Sequence, residues 1–431
     1  MTVFWAPSAW VDGRITERVR IGVDDSGRIT AIESGVVAAA DDVAVPGVLF
    51  PGAVNAHSHA FHRLLRGRTH GDGGSFWTWR ELMYQEATRL TPESYERVAT
   101  TVFAEMVATG WTSVAEFHYV HHTLDGSPYP EPHAMELALA RAARTAGIRL
   151  TLLDTCYLSS GFGAPPQPEQ TRFSDGSAER WLDRLESLRT AVAEQFSADE
   201  VAVGAAIHSV RAVPVRDLEV IAARIDPTIP LHVHLSEQPA ENAACLAETG
   251  RTPTGLLADL DLLSPRLAAV HATHLTGDDI AQLGAAGCTI VMCPTTEADL
   301  GDGIGPARAL HDAGARIALG TDQHAVIDPL LEARALEHGE RLASGERGRF
   351  SPAQLVAAMS HGGASSTGRD VGDLHVGAFA DFFTLDPSTI RTRGSAPDQL
   401  ILSATSPDIT AVFVGGREVA PPSRATAAHS R

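Results

Sequence analysis

The chain contains no lysine, since all 34 residues counted as lysine or arginine are arginines. A catalytic Schiff base and an anchored pyridoxal phosphate both require a lysine amine, so these two chemistries are excluded. A phosphate-binding loop of the Walker A type also requires a lysine and is excluded for the same reason. Any catalysis by this chain must therefore use other side chains or a bound metal.

Cysteine and long apolar runs are also scarce. Only four cysteines occur in 431 residues, and none is spaced as Cys-x-x-Cys. A disulfide framework is therefore not expected, and a reducing cytoplasm fits the composition. No uncharged apolar run reaches the roughly 18 residues of a membrane span, and residues 1–5 do not resemble a secretory signal. We expect a cytoplasmic protein that does not enter the membrane.

Positive charge is in short supply, and the formal net charge is −19. A strongly acidic chain is repelled by nucleic acids and by anionic membrane surfaces, so neither is expected as a partner. An anionic substrate would have to be bound by a local cluster of arginines. We expect a homodimer that acts on a small molecule.

Short strand patterns dominate both ends of the chain. Alternating apolar residues on either side of a glycine-containing turn predict a β-hairpin within residues 19–32. Similar strand patterns recur between residues 378 and 419. The two ends therefore predict a small β-sandwich domain built from residues 1–50 and 371–431. The last residues, 421–431, are expected to fray.

The middle of the chain, residues 51–370, alternates short apolar strands with helix-like segments, such as residues 94–110 and 353–360. The first of eight predicted strands is the apolar run at residues 45–50, which leads into Pro51 and Gly52. The other seven are predicted at residues 113–117, 149–153, 201–206, 230–234, 267–271, 288–292 and 316–320. This alternation predicts an α/β fold with a (β/α)₈ barrel, in which functional side chains gather at the carboxyl ends of the strands.

His57 and His59 follow the first predicted strand and are separated by one residue. Residues i and i+2 of an extended segment lie on the same face, so both imidazoles can reach one point. Neutral imidazole is a common ligand of zinc, iron and similar metals. The pair alone fits equally well with two polar histidines at a strand end that face water.

Polar side chains also lie at the ends of most other predicted strands. They are Glu116, His118 and Tyr119 at the second strand, His208 and Arg211 at the fourth, His232, His234 and Glu237 at the fifth, His271 and His274 at the sixth, Thr295, Thr296 and Glu297 at the seventh, and Asp322 at the eighth. Because the carboxyl ends of all barrel strands meet at one mouth, the set predicts a metal centre there.

The order His-x-His, His-x-x-Glu, His and Asp along these strands resembles the amidohydrolase superfamily. The resemblance implies a (β/α)₈ barrel with a small β-sandwich from both termini. It also implies one divalent metal, zinc with iron as the alternative, whose ligands are His57, His59, His234 and Asp322. Many members bridge two metals with a carboxylated lysine, and the absence of lysine here favours a mononuclear, deaminase-type centre. His232 is interpreted as a supporting or core histidine.

The same resemblance assigns three catalytic roles. Asp322 would accept a proton from the attacking water in addition to binding the metal. Glu237 would protonate the substrate nitrogen and assist the release of ammonia. His271 would donate a hydrogen bond to the nucleophile or to the developing tetrahedral centre.

Four segments, at residues 75–84, 115–119, 208–213 and 293–303, resemble the formimidoylglutamate deiminase family more specifically. This resemblance implies hydrolysis of N-formimino-L-glutamate to N-formyl-L-glutamate and ammonia in histidine degradation. It further implies that the substrate's carboxylates are held by Arg80, Tyr119, His208 and Arg211. His62 stands where that family commonly has glutamine, and a change at a substrate-contacting position would alter affinity or preference.

Several alternatives remain open at this point. Arg80 could be a solvated charge on an amphipathic helix that buries Trp77, and Arg211 could pair with a structural carboxylate. A related deaminase of a purine or pyrimidine ring would need stacking groups in place of an arginine clamp. A non-catalytic barrel that binds partners is the alternative from another functional class.

Four surface features are also predicted from composition. His70, His121 and His122 are interpreted as solvated loop histidines. The glycine-containing stretch at residues 67–75 is a candidate lid, and residues 301–305 are expected to form a loop near the mouth of the site. Charges of both signs at residues 332–341 predict an exposed helix face.

Overall fold

The computed structural model describes residues 1–69 and 76–419, except for the side chains of Phe76 and Trp77. The predictions for His70, for most of the candidate lid, for the burial of Trp77 and for the tail at residues 421–431 lie outside these described residues. None of the described helices combines the length and the apolar character that a membrane crossing needs.

Sixteen strands occur in the described part of the chain and form two separate sheets. They are β1 (Thr2–Val11), β2 (Arg14–Val23), β3 (Ile29–Glu33), β4 (Val43–Ala44), β5 (Val48–Pro51), β6 (Ala53–Ser58), β7 (Trp111–His118), β8 (Arg149–Cys156), β9 (Val201–Ser209), β10 (Leu231–Leu235), β11 (Leu267–His271), β12 (Thr289–Met292), β13 (Arg316–Leu319), β14 (Phe382–Leu385), β15 (Ile409–Val414) and β16 (Arg417–Glu418).

Thirteen α-helices and five 3₁₀-helices connect these strands within the described residues. The α-helices are α1 (Phe76–Arg89), α2 (Pro92–Ala108), α3 (Ala134–Ala146), α4 (Ala178–Gln195), α5 (Val215–Arg224), α6 (Pro239–Thr249), α7 (Pro253–Asp259), α8 (Gly277–Ala285), α9 (Pro294–Leu300), α10 (Ala307–Asp312), α11 (Pro329–Ser344), α12 (Pro352–Met359) and α13 (Ala364–Thr367). The 3₁₀-helices are Ala60–Leu65, Pro168–Phe173, His361–Gly363, Pro397–Leu402 and Ser406–Asp408.

The first sheet takes its strands from both ends of the chain, as the sequence predicts. Its order is β16-β15-β14-β5-β1-β2-β3, and β4 pairs with β1. The pairing is mixed, because β1 runs parallel to β4 and β5, whereas the other neighbours are antiparallel. Phe4, Phe382 and Phe413 bring the two ends together in one apolar cluster, with ring centroids 4.6–5.3 Å apart.

The second sheet is the predicted barrel, in which β6 to β13 follow one another in chain order and are parallel. The barrel closes between its first and last strands. The amides of Thr321 and Asp322 each donate to the carbonyl of His57 at 3.0 Å, and the amide of His59 donates to the carbonyl of Asp322 at 3.1 Å. Residues of the predicted metal centre therefore form the seam of the barrel.

The prediction that residues 45–50 form the first barrel strand is wrong. Residues 48–50 of that run belong to β5, which pairs with β1 and β14 in the terminal sheet, while the first barrel strand is β6. The chain passes from one sheet to the other at Gly52, where a side chain would collide with Thr112. Both segments are fully buried, but β6 contains Asn55, His57 and Ser58, so the search for apolar runs selected β5 in its place.

The predicted exposed face at residues 332–341 is also wrong for its acidic members. Glu332 and Glu337 are fully buried in α11. Glu332 accepts hydrogen bonds from the amide and hydroxyl of Thr295, and Glu337 accepts from the amides of Arg349 and Phe350. These carboxylates satisfy backbone donors of neighbouring loops, a role that charge patterning along the helix does not reveal.

His121 and His122 are buried, contrary to the prediction that they are solvated. His121 Nδ1 lies 2.8 Å from Glu136 Oε1, and its Nε2 donates to the carbonyl of Thr155 at 2.9 Å. His122 Nε2 lies 3.0 Å from Asp175 Oδ1. Arg184 completes this network by pairing with Glu136, Asp154 and Asp175 at 2.8–3.1 Å. The paired charges explain how so many polar groups remain buried.

Candidate metal centre and active site

The four predicted metal ligands converge at the carboxyl end of the barrel. His57 lies in β6, His59 follows this strand, His234 lies in β10 and Asp322 follows β13. His234 Nε2 is 3.2 Å from His57 Nε2 and 3.3 Å from His59 Nε2. Asp322 Oδ1 is 3.4 Å from His57 Nε2 and 3.6 Å from His59 Nε2. All four side chains are more than nine-tenths buried.

The protonation of this cluster indicates what it can bind. His59 Nδ1 donates to the carbonyl of Phe117 at 2.8 Å, and His234 Nδ1 donates to the carbonyl of His208 at 2.9 Å. A carbonyl can only accept, so each Nδ1 carries the hydrogen and each Nε2 presents a lone pair to the centre. Burial, with the neighbouring histidines, lowers the pKa of both imidazoles well below its usual value and keeps them neutral.

Facing lone pairs repel each other unless a cation lies between them. Ligand atoms about 2.0–2.1 Å from a tetrahedral zinc ion are about 3.3–3.4 Å apart, close to the distances from His234 Nε2 to His57 Nε2 and to His59 Nε2. The backbone carbonyls that hold Nδ1 also supply the outer contacts expected around a metal ligand. The cluster therefore fits one divalent metal ion.

Glu116 holds the segment that carries His57 and His59. Its two carboxylate oxygens accept hydrogen bonds from the hydroxyl of Ser58 and the amide of Ala60, both at 2.5 Å. Burial raises the pKa of Glu116 to about 8. Glu116 was predicted to lie at a strand end without an assigned role, and the structure places it behind the segment that carries His57 and His59.

Asp322 is the predicted ligand that also approaches His271, a predicted catalytic residue. Its backbone φ of +42° lies in the left-handed region, and His271 at +67° and His324 at +62° share that unusual conformation. Burial, with a contribution from Glu237 and Glu297, raises the pKa of Asp322 to about 7, while His271 acts in the opposite direction. The surroundings of Asp322 thus favour proton uptake by its carboxylate.

His271 lies among three carboxylates. Its Nε2 is 3.7 Å from Glu237 Oε1 and 3.9 Å from Asp322 Oδ2, and its Nδ1 is 3.4 Å from Glu297 Oε1. Burial acts to lower the pKa of His271, but the carboxylates prevail and raise it to about 10. Glu297 also accepts from the amide of Cys293 at 2.9 Å, so it orients His271 from the side opposite Glu237.

A pocket with about 450 Å³ of empty space opens beside this cluster. Ten of the residues that the sequence singled out line it, namely His59, His62, Arg80, Tyr119, His208, Arg211, His234, Glu237, His271 and Asp322. His57 lies fully buried outside this lining set. The structure thus brings predicted metal ligands, predicted acid–base groups and predicted substrate-binding groups to one cavity.

Four further residues that line the pocket were missed, namely Trp79, Met83, Tyr84 and Tyr157. Three of them belong to α1, within the segment at residues 75–84. The motif in that segment was used for the family resemblance, but only Arg80 was assigned a contact with the substrate. Tyr157 follows β8, which continues to Cys156 and not only to residue 153 as predicted. A strand extended by three residues would have placed Tyr157 at the mouth of the barrel.

The predicted substrate-binding groups are arranged around these aromatic rings. His62 Nε2 lies 2.9 Å from the hydroxyl of Tyr119, and its ring centroid is 4.4 Å from that of His59. His208 packs against His234 and Tyr157 at centroid distances of 5.0 and 4.3 Å. His62 therefore lies between a predicted ligand and a predicted substrate-binding tyrosine.

Arg211 provides a positive charge in the pocket. No carboxylate in the described part of the chain forms an ion pair with it, and its Nη1 has no hydrogen-bond partner there and no solvent-exposed area. Burial acts to lower the pKa of Arg211, but Tyr157 and Glu241 raise it, so the guanidinium stays charged. The alternative that Arg211 pairs with a structural carboxylate does not match this arrangement.

Two other histidines at strand ends lie outside the ligand cluster. His232 is fully buried, and its Nε2 donates to the carbonyl of Ser366 at 2.7 Å, as expected of a supporting histidine. His274 Nε2 donates to the carbonyl of Asp302 at 2.9 Å. Asp302 belongs to the glycine-rich stretch at residues 301–305, and it also accepts from the side-chain amide of Gln238, next to Glu237.

Comparisons with known proteins agree with this geometry. A model of the Amidohydrolase family matches residues 48–419. The chain is 38% identical over 388 residues to a formimidoylglutamate deiminase from Pseudomonas aeruginosa, covering 86% of this chain and 84% of the relative. It is 30% identical over 382 residues to an 8-oxoguanine deaminase from the same species, covering 86% and 81%.

Among solved structures, a crystal structure of an amidohydrolase from Brucella melitensis has the same fold. It superposes with a TM-score of 0.90 at 34% sequence identity, covering 97% of this chain and 94% of the other. An adenosine deaminase from Xanthomonas campestris with bound zinc superposes with a TM-score of 0.81 at 24% identity, covering 97% and 92%, and this likeness concerns the fold alone.

Proposed function

This chain belongs to the amidohydrolase family, and from that premise we propose that it hydrolyses N-formimino-L-glutamate to N-formyl-L-glutamate and ammonia. The observation that carries the proposal is the charged guanidinium of Arg211, without a carboxylate partner among the described residues, in the same pocket as the metal cluster. The 38% identity to a deiminase of that substrate supports it. The reaction would be a step in histidine degradation in the cytoplasm.

We propose zinc as the metal, with iron as the alternative. His57, His59, His234 and Asp322 would hold it, because their nitrogen and carboxylate donors suit either ion. When bound there, a divalent ion acts as a Lewis acid and allows water to supply hydroxide near neutral pH. The remaining steps belong to side chains of this chain.

Proton movement is assigned to Asp322 and Glu237. Asp322 accepts the proton of the attacking water, and it lies 3.9 Å from His271 Nε2. Glu237 gives a proton to the imino nitrogen as the formimino carbon becomes tetrahedral, and the same group then assists the departure of ammonia. Both carboxylates lie within 4 Å of His271 Nε2, so the proton donor and acceptor share one neighbour.

His271 is assigned a stabilising role. The three surrounding carboxylates raise the pKa of His271 to about 10, so it carries positive charge at neutral pH. A charged imidazolium donates a strong hydrogen bond to an oxygen on which negative charge develops. Because Glu297 fixes its other nitrogen, His271 Nε2 remains directed towards the reacting centre.

Recognition of the substrate is assigned to other side chains that line the same pocket. The substrate carries two carboxylates, whereas the chain carries a net charge of −19, so binding depends on local donors. Arg80, Tyr119, His208 and Arg211 are proposed to supply them, and arginine suits the task because its planar fork binds a carboxylate through two hydrogen bonds. His62 is proposed to contact the substrate and to adjust its orientation.

A ring deaminase is the second candidate. It is favoured by the 30% identity to an 8-oxoguanine deaminase and by the aromatic rings of Trp79, Tyr84, Tyr119 and Tyr157, on which a flat base could stack. The charge of Arg211 has no role in binding a neutral base, so we favour the dicarboxylate substrate.

Ammonia release distinguishes the two candidates. The metal-loaded enzyme is assayed with N-formimino-L-glutamate, N-formimino-L-aspartate, guanine, 8-oxoguanine and cytosine at matched concentrations. We expect the highest kcat/KM for N-formimino-L-glutamate. A higher kcat/KM for any ring substrate would transfer the assignment to the second candidate. Light scattering on the same preparation tests the proposed homodimer.

A further inference from the structure

Tyr84, Tyr157 and Gln170 form a hydrogen-bonded trio in the wall of the pocket. Tyr84 lies in α1, Tyr157 follows β8, and Gln170 lies in the 3₁₀-helix Pro168–Phe173. Gln170 Nε2 is 2.8 Å from each phenol oxygen, and the two phenol oxygens are 3.3 Å apart. All three side chains are more than nine-tenths buried. Neither tyrosine was among the predicted substrate-binding residues.

The orientation of the Gln170 amide follows from its other contact. Its Oε1 accepts a hydrogen bond from the backbone amide of Gln167 at 2.8 Å. A backbone N–H can only donate, so the oxygen must face Gln167 and the NH₂ group must face the phenols. Gln170 therefore gives one hydrogen to each phenol oxygen.

A count of the phenol hydrogens leaves one without a partner. Each phenol carries one hydrogen, and the contact between the two oxygens uses only one of them. Neither phenol has a further hydrogen-bond partner in residues 1–69 and 76–419. Both tyrosines line the pocket, so the second hydrogen is available to a ligand there. Burial, with the neighbouring Tyr84, raises the pKa of Tyr157, so its phenol keeps its hydrogen at neutral pH.

The surroundings of the trio indicate the kind of ligand group that it meets. The Arg80 guanidinium carbon lies 5.5 Å from the centroid of the Tyr84 ring, and Arg211 lines the same pocket. Tyr157 packs on His208, whose ring separates it from the predicted ligand His234. The trio thus lies farther from the metal cluster than His208 does, and Arg80 and Arg211 are nearby. An anionic group of the substrate that is remote from the reacting carbon would lie at this position.

We propose that the available phenol hydrogen binds the substrate carboxylate that is farther from the formimino carbon. This inference rests on the proposed function, because it identifies the group that recognises the side-chain carboxylate of the glutamate. Gln170 gives its hydrogens to both oxygens equally, so the bond between the phenols can run in either direction. Either tyrosine can then present the hydrogen to the substrate, and the two phenols act as one donor.

This arrangement predicts a pattern for substitutions that independent contacts would not give. In Tyr84→Phe the phenol of Tyr157 still donates to the substrate, and in Tyr157→Phe the phenol of Tyr84 does so. Each single change should therefore lower kcat/KM for N-formimino-L-glutamate by no more than about threefold. The double variant has no phenol left and should lose about 10- to 150-fold, the range for a hydrogen bond to a charged group. The loss should appear mainly in KM.

The experiment measures kcat and KM of the metal-loaded wild type, both single variants and the double variant. N-formimino-L-norvaline is the comparison substrate, because a methyl group replaces its distal carboxylate; its kcat/KM should be the same for all four proteins within about threefold. Thr384→Val is the control, since it removes a buried hydroxyl whose partner is Thr410 in the terminal sheet, away from the pocket. Metal content and thermal unfolding show that each variant is folded.

The wild-type enzyme is first tested for turnover of N-formimino-L-glutamate, and this result tests the proposed function before the variants are compared. An inactive wild type would overturn both that function and this inference. With an active wild type, a double variant within threefold of it would refute the phenol donor and leave the proposed function standing. Single losses that multiply to the double loss would refute the shared hydrogen, because coupled groups must deviate from additivity. An equal loss with N-formimino-L-norvaline would also refute it.

Discussion

Glu237 lies 3.7 Å from His271 Nε2 and outside the cluster of four predicted ligands. It is therefore positioned to move a proton and not to hold the metal. Glu237→Gln keeps the shape of the side chain but removes its acidity, so we expect kcat to fall by about 10²–10⁴-fold with the metal content unchanged. Steady-state kinetics and elemental analysis on the same protein check both parts.

Glu248→Gln is the matched control, because Glu248 is an exposed carboxylate in α6 and should have no effect on turnover. Loss of the metal from Glu237→Gln would indicate a ligand, and near-normal turnover would assign the proton to another group.

Arg211 is the residue on which the choice of an anionic substrate depends. Arg211→Met keeps the length of the side chain but removes its charge. We expect kcat/KM for N-formimino-L-glutamate to fall by about 10- to 150-fold, the contribution of one charge-assisted hydrogen bond, while metal content and folding are retained. Steady-state kinetics measure this loss, and elemental analysis with thermal unfolding checks the last two points.

Arg216→Met, at an exposed position in α5, should leave kinetics unchanged. The decisive comparison uses an analogue of the substrate that lacks one carboxylate. Equal losses for that analogue and for N-formimino-L-glutamate would show that Arg211 supports the fold and does not bind the carboxylate.

Among single residues, the sequence indicates those of uncommon, metal-ligating types. It does not indicate residues whose role depends on which distant side chains surround them in the fold. His57, His59, His234 and Asp322 are among the polar residues at strand ends, and the resemblance to the amidohydrolase superfamily selected them from that set as metal ligands. Tyr157 was missed because a buried tyrosine after a strand is common in protein cores. His121 and His122 were misjudged because Glu136, Asp154 and Asp175, which keep them buried, are distant in the sequence.

Helix α1 supplies four side chains of the pocket, and it is held in place by Arg172. This arginine lies in the 3₁₀-helix Pro168–Phe173, and its guanidinium donates to the carbonyls of Ala87 and Leu90 at the carboxyl end of α1. It also donates to the carbonyl of His122 at 3.1 Å and to the hydroxyl of Tyr129 at 3.0 Å. Terminal carbonyls of a helix have no partner within it, and Arg172 satisfies two of them here.

Arg172→Met should therefore loosen α1 without removing a group that faces the substrate. The freed carbonyls and the lost charge should lower the free energy of unfolding by about 1–3 kcal/mol. KM should rise more than kcat falls, because Arg80 and Tyr84 move with the helix. Urea unfolding and steady-state kinetics measure the two effects.

Arg180→Met provides the comparison, since Arg180 is exposed on α4 and should change neither quantity. Full stability together with an unchanged KM would show that α1 is positioned by its apolar contacts alone.

Among the elements, the helices and the barrel strands could be predicted because their hydrophobic periods differ. The predicted helices at residues 94–110 and 353–360 match α2 and α12 to within a few residues. The change of sheet between β5 and β6 could not be predicted, because it depends on partners in β1, β14 and β7. The hydrophobic pattern of a segment indicates whether the segment is buried, but it does not indicate which strand lies beside it.

For the whole molecule, the metal should contribute to stability as well as to catalysis. The four predicted ligands belong to β6, β10 and the segment after β13, and only the folded barrel brings them together. Binding to the folded state alone stabilises it by about 4 kcal/mol at a thousandfold excess over Kd. We expect close to one zinc or iron per chain, and a lower melting temperature after chelation.

Calorimetry before and after treatment with a chelator measures the shift, and zinc returned to the protein should restore it. An unchanged melting temperature would show that the barrel does not depend on the ion. Two metal equivalents that are both required for activity would contradict the mononuclear centre.

The sequence also predicted the larger organisation, because two β-rich ends on either side of a β/α repeat leave few other arrangements. What holds the two units together was not foreseen. Arg149, at the start of β8, pairs with Asp381 in the terminal sheet at 2.7 Å and lies over the ring of Phe379 at 3.6 Å. The exact domain limits at residues 50 and 371 stay a prediction.

The closure of the barrel between its first and last strands also constrains the order of steps during synthesis and folding. The carbonyl of His57 accepts from the amides of Thr321 and Asp322, so the first and last strands of the cylinder meet through the metal-binding residues themselves. During synthesis a ribosome releases His57 early and Asp322 late. The complete set of predicted ligands thus cannot exist on a nascent chain until the last barrel strand has been translated. We therefore expect the metal centre to be completed only when the cylinder closes.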